Sequence, residues 1–236
     1  MIRRDYILRM IEQFIQALAR IASLSRARQY GEAETVLDKE FAKLVGSGAE
    51  AVAQLSETEL MARIVAGEPT QVVRDKCFLL VALLKEAAAL HAAQGRKGQS
   101  QACYLKALNL LLETRLRAED GVEVPSFAPS IEELVALCGD AVVPAATRAT
   151  LMQHYERLGD FARAEDQLFA ILESAAYDGR VLCWGITFYE RLLGLSDTTL
   201  SAGNLPRAEV EAGVTELRQR ASSGGISLAA YGLAKR

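Results

Sequence analysis

Leu158-Gly159-Asp160-Phe161-Ala162-Arg163-Ala164 is the stretch that decides the reading of this chain. Gly159 ends a helix that Pro144 opens, because glycine accepts the left-handed backbone that closes a helix and proline suits a helix start. Phe161 begins the partner helix, which runs to about Ala176. Tyr155 and Leu151 lie four and eight residues before the glycine, and Leu168 and Ile171 lie nine and twelve after it. That is one apolar face on each of two helices joined by a tight turn. Two such helices approach closely only where one contact position is small, and Ala164 is the candidate.

The same frame fits twice more. Laid on Gly95, it puts His91 four before, Ala87 eight before, and Ser100, Tyr104 and Ala107 five, nine and twelve after. Laid on Arg28, it picks out Ala33 and Leu37, with Arg28 where the glycine should be and Glu40 at a position usually small. Ala33, Ser100 and Ala164 are the predicted helix crossings. A lone hairpin cannot bury its apolar face, so hairpins of this kind stack.

The segments around these hairpins read as helices too. Ile7, Ile11, Phe14, Leu18 and Ile21 step by four and three along an N-terminal helix over 3–28. A second helix runs from about 31 to 45 and ends at Gly46-Ser47-Gly48. Ser56-Glu57-Thr58-Glu59 and Ser130-Ile131-Glu132-Glu133 have the spacing of capping boxes and open short helices. Pro69 starts a helix to about Gln94, and another covers 99–117 after a Gly95–Gly98 turn. A loop spans 119–129, an apolar helix with Trp184 and Phe188 covers 180–194, and Asn204-Leu205-Pro206 reads as a cap with proline in the first turn of a last helix to about Ala221. No segment alternates as a strand does. The predicted fold is all-α, nine to eleven helices in one domain over 1–221. Hairpins lie near 3–46, 69–117 and 145–176 with short capped helices between, and a tail follows over 222–236.

These hairpins resemble tetratricopeptide repeats, most closely over 145–178 and 81–114, with Arg148 and Met152 standing where that family prefers an aromatic and a glycine. The turn positions 28, 95 and 159 are 67 and 64 residues apart, so the resemblance implies an irregular helical repeat of stacked antiparallel hairpins. The whole chain also resembles an uncharacterised bacterial family of unknown function. That likeness rests on the opening RRDYILRMIEQ, Leu55–Leu60, Tyr104–Leu108, the stretch from His154 to Phe169, and Gly203–Val210.

Composition narrows the function. Of 236 residues 50% are hydrophobic and 24% charged, and 27 Lys+Arg stand against 30 Asp+Glu for a net charge of -3. No global basic excess points to nucleic acid. The longest uncharged apolar runs, Cys77–Leu84 and Val181–Tyr189, are too short to span a bilayer, and the N-terminus lacks the form of a leader. A cytoplasmic protein, with no membrane or nucleic-acid partner, is expected. Cys77, Cys103, Cys138 and Cys183 form no C-x-x-C pair and sit among apolar neighbours, so they read as core thiols. His91 and His154 lack metal-ligand spacing and read as residues packed near helix ends. Neither a cofactor, a metal site nor a catalytic set is expected.

The function expected is therefore a non-enzymatic protein–protein interaction module. The tetratricopeptide resemblance implies a groove for a protein or peptide partner, bordered by Lys85, Glu86, Gln153, Glu156 and Arg157. Ala89 and Gln153 occupy a position where the carboxylate-clamp members of that family carry a binding residue, so chaperone tails are not the expected cargo. Two alternatives stay open. One is a homodimer through residues 3–28, whose steps also suit a helix–helix seam. The other is a small-ligand protein or enzyme with a pocket between helices, signalled by a cavity at His91 or His154 with converging polar groups.

Overall fold

Cys77–Leu84 is apolar on every side, and a helix apolar all round must be surrounded. The computed structural model describes residues 2–67, 69–117, 124–139, 143–226 and 228, with side chains from Arg9 onward. In it that run forms the middle of α5 (Thr70–Ala93), and every residue from Cys77 to Leu84 is buried. Around α5 pack α1 (Ile2–Arg26), α2 (Tyr30–Val45), α4 (Glu57–Val65) and α6 (Lys97–Arg117). The short α3 (Ala49–Gln54) lies on α2, and α7 (Ile131–Cys138) lies on α6. The second half holds α8 (Ala145–Leu158), α9 (Phe161–Ser174), α10 (Gly179–Leu193), α11 (Asp197–Ala202) and α12 (Arg207–Ser223). Among the described residues there are twelve helices and no strand. Contacts gather into two compact units, Met1–Val142 and Val143–Arg236.

The three turns of the repeat frame carry the same bonds. At Arg28, Gly95 and Gly159 the backbone is left-handed, with φ of 59°, 75° and 75°. Each turn residue donates its N–H to the carbonyl three back: Arg28 to Ser25, Gly95 to Ala92, Gly159 to Glu156. The next residue donates five back: Gln29 to Leu24, Arg96 to His91, Asp160 to Tyr155. Together these satisfy carbonyls that the helix end would otherwise leave orphaned. The following helix then starts with Ala33, Ser100 and Ala164 donating to the carbonyls of Gln29, Arg96 and Asp160. All three small residues are buried, at 0%, 5% and 0% exposure. Across these turns α1 packs on α2, α5 on α6 and α8 on α9.

In the second unit α10 meets α12 at two glycines. A Cβ on Gly185 would come within 2.7 Å of Leu217 Cδ1, and one on Gly213 would fall on the Tyr189 ring. Tyr189 itself is fully buried and its hydroxyl donates to Glu165 on α9 at 2.5 Å.

Several local expectations change. The six-residue helices α3 and α11 have no counterpart in the sequence reading; each is too short to show a period. Ser56 and Glu59 form the full capping box. At Ser130 only half of one forms: its hydroxyl accepts from Glu133 N–H at 3.0 Å, while the Glu133 carboxylate binds Lys85 Nζ at 2.6 Å. Asn204 is not a cap but a left-handed turn residue, φ 57°, and Pro206 holds the cap position of α12. In the tail Ile226 donates to Ala221 O at 2.9 Å, and Tyr231 lies outside the described residues. The stripe on α1 turns inward at Phe14 and Ile21, which are buried, as α1 packs on α2 and α5. Residues 119–123 of the expected loop lie outside the described residues.

Candidate functional site

In the first unit the α5–α6 turn, the outer face of α2 and the small helix α3 enclose a cavity of about 660 Å³. Its floor is apolar: the buried Leu37 of α2, Ala87 and Leu90 of α5, and Cys103 of α6. Its rim is charged. Glu34 and Asp38 sit one turn apart on α2, so both face the same side; Arg96 comes from the α5–α6 turn and Lys106 from α6.

Each rim charge has a structural partner. Arg96 Nη2 donates to Glu34 and to the Gln94 side chain, and Gln94 Nε2 also donates to Glu34 at 3.1 Å. These bonds tie the α5–α6 turn to α2, as does the Tyr30 hydroxyl, which donates to Ala93 O at 3.3 Å. Asp38 Oδ1 accepts from the Ala49 N–H at 2.7 Å. Lys106 Nζ donates to the carbonyls of Val52, Ala53 and Leu55 at 3.0, 2.8 and 2.6 Å. Two nitrogens at the cavity wall, His91 Nδ1 and Arg96 Nε, are buried with no hydrogen-bond partner among the described residues.

The titration states follow from burial. Desolvation pushes His91 below the usual histidine range, and Arg96 adds to that shift while Glu34 opposes it. His91 is therefore neutral at neutral pH, not the cation that would favour a helix C-terminus. Burial pushes the Cys103 thiol up, with Lys106 pulling the other way, so the thiol form dominates. All four cysteines are buried and unpaired, as expected from their apolar neighbours.

The five groove residues from the sequence fall in two groups, one in each unit. Lys85 and Glu86 lie half-buried on α5 in the first. Lys85 is bound to Glu133, and burial raises the Glu86 carboxyl, with Lys85 lowering it and Glu133 raising it. Gln153, Glu156 and Arg157 lie on α8 in the second. Glu156 accepts two bonds from Arg191 of α10, at 2.9 and 2.8 Å, and Gln153 is exposed. His154 is buried, its ring 5.5 Å from that of Tyr155.

Of the cavity residues the sequence reading names Leu37, Ala87 and Cys103 as packing positions, and only His91 as the mark of a pocket. Lys106 carries a legible signal, a lone charge inside Tyr104-Leu105-Lys106-Ala107-Leu108. Glu34 and Asp38 carry none, since acidic residues four apart on a helix are ordinary solvated surface.

Fold and site together define an all-α protein of paired helices with a mixed apolar and charged cavity beside one hairpin turn. The chain belongs to a family of unknown function (DUF6483), whose model matches residues 1–222. Neither a curated protein nor a solved structure matches it. Among the described residues no helix is long and apolar enough to cross a membrane, and no group of three or more His, Cys, Asp or Glu is placed to hold a metal ion.

Proposed function

We propose that this protein is a non-enzymatic interaction module of tetratricopeptide-like hairpins, and that a protein or peptide partner docks in the cavity of the first unit. The repeat reading is supported by the matching bonds at Arg28, Gly95 and Gly159 and by the buried small residues that follow them. The observation that carries the binding site is the cavity itself. At about 660 Å³ it has the size of a ligand pocket, and its apolar floor and polar rim are what a side-chain anchor on a partner requires. Lys85, Glu86, Gln153, Glu156 and Arg157 are a less supported docking surface, since Lys85 and Glu156 are engaged within their own units.

Ala53 is exposed and lines the cavity, so Ala53→Trp fills the opening without entering the core. Affinity capture from native lysate is expected to retain a protein partner on the wild type and to lose it on Ala53→Trp. The same partner on both would remove the cavity from the proposal.

A second reading, an organic ligand in the same cavity, is favoured by the unpartnered His91 Nδ1 and Arg96 Nε. It predicts that wild type captures no protein in a manner sensitive to Ala53→Trp, and that small-molecule extracts raise its melting temperature but not that of the variant. A homodimer through residues 3–28 is less supported, because Phe14 and Ile21 are already buried. Ile15 is 43% exposed, and a dimer seam there predicts that Ile15→Glu lowers the sedimentation coefficient.

A further inference from the structure

The chain between Val45 and Leu60 is held differently from the rest of the first unit. Leu44 and Val45 are buried at the end of α2, and Leu60 and Ile64 are buried on α4. Between these anchors lies α3, six residues with only Val52 buried. A helix so short has no stability of its own in water. Its ends are instead gripped by charge. Asp38 takes the Ala49 N–H at the N-terminus, and Lys106 places all three ammonium protons on carbonyls at the C-terminus. Ala49, Ala53 and Gln54 of this helix line the cavity together with Cys103 and His91. The chain reaches α3 through Gly46, left-handed at φ 72°, and Gly48.

We propose that α3 is a latched strap on the cavity and that Lys106 is its latch: when Lys106 releases the carbonyls of Val52, Ala53 and Leu55, segment 46–55 lifts while α2 and α4 stay docked. Elements with little buried apolar surface open locally at low cost, without unfolding of the whole. α3 meets that condition, and its neighbours do not. If the cavity is the partner site, as proposed above, the latch sets its access; the latch itself does not depend on that reading.

Two thiols of the same unit report on it. Cys103 lines the same cavity as Ala49, Ala53 and Gln54 of α3, and Cys77, 2% exposed on α5, does not line it. Alkylation of the full chain by iodoacetamide, resolved by peptide mass, reads both at once. In Lys106→Met, modification of Cys103 is expected to accelerate about tenfold, with Cys77 unchanged, as the loss of charge-assisted bonds at α3 predicts. Lys106 also pulls the Cys103 thiol toward its reactive form, so losing the charge alone would slow the reaction. Acceleration therefore reports access. An unchanged or slower Cys103, or a parallel rise of Cys77, would overturn the latch. Should Lys106→Met fail to fold, Asp38→Ala frees the other end of α3. It is expected to speed Cys103 about threefold, and a rate equal to wild type would count against the strap. Neither rate involves a partner, so these results stand apart from capture by Ala53→Trp.

Discussion

The turns at Arg28 and Gly159 make one comparison from which much of this chain can be understood. They share left-handed backbone, the same pair of reverse-turn bonds and a buried alanine five residues on. They differ in everything around those bonds. At Gly159 the turn is docked: Ala162 N–H donates to Gly203 O at 3.1 Å, and Gly203 presses against the Phe161 ring and the Gly159 carbonyl so closely that no Cβ would fit. At Arg28 the turn residue is exposed, and Gln29 makes no side-chain cap bond. The left-handed path is thus set by the bonds it completes and by the crossing that follows, and glycine only lowers its cost.

The docked turn is where the largest effect is expected. Gly203→Ala drives a methyl into backbone that cannot yield, and should cost about 3 kcal/mol by denaturant unfolding. A loss under a third of that would mean the two turns do not depend on each other. Ala164→Phe overpacks the α8–α9 crossing and should cost about 1–3 kcal/mol; unchanged melting would show that the crossing is elsewhere. The turn residues themselves predict opposite signs. Gly159→Ala should destabilise by about 1 kcal/mol and Arg28→Gly should stabilise by a similar amount, because a side chain is strained in left-handed backbone. If both lose stability, the arginine side chain contributes a contact that offsets its strain.

The smallest effect concerns Glu165, next to Ala164. Burial raises its carboxyl, and the nearby Glu209, Asp166 and Glu216 add to the shift, against the hydrogen bond from Tyr189, which lowers it. A carboxyl raised in the folded state binds its proton more tightly there than in the unfolded chain. Stability is therefore lost as pH climbs from the ordinary carboxylate range through the folded value. Glu165→Gln keeps an acceptor for Tyr189 and removes that loss. Its melting temperature should exceed wild type at neutral pH and converge with it in acid; an equal gain at both would assign the effect to something other than ionisation.

The same comparison shows why part of the fold was legible in the sequence and part was not. Gly95 and Gly159 announce their turns. Arg28 hides an equivalent one, and Glu40 makes its hairpin look degenerate, although Glu40 is buried at 5% and bonded to Lys43 at 2.7 Å. Apolar period revealed the long helices, because burial of one face repeats over several turns. It could not reveal α3, held by Asp38 and Lys106, or the bonds from Arg96 to Glu34, since these rest on polar groups that look like surface, and Lys106 and Arg96 lie 54 and 62 positions from their partners Val52 and Glu34.

The most direct test of the binding site is hydrogen exchange on the full chain with and without the captured partner. Slower exchange confined to α3 and to the α5–α6 turn around His91–Lys106 is the predicted result. Protection on α8 around Gln153–Arg157, with α3 and the α5–α6 turn unchanged, would contradict it.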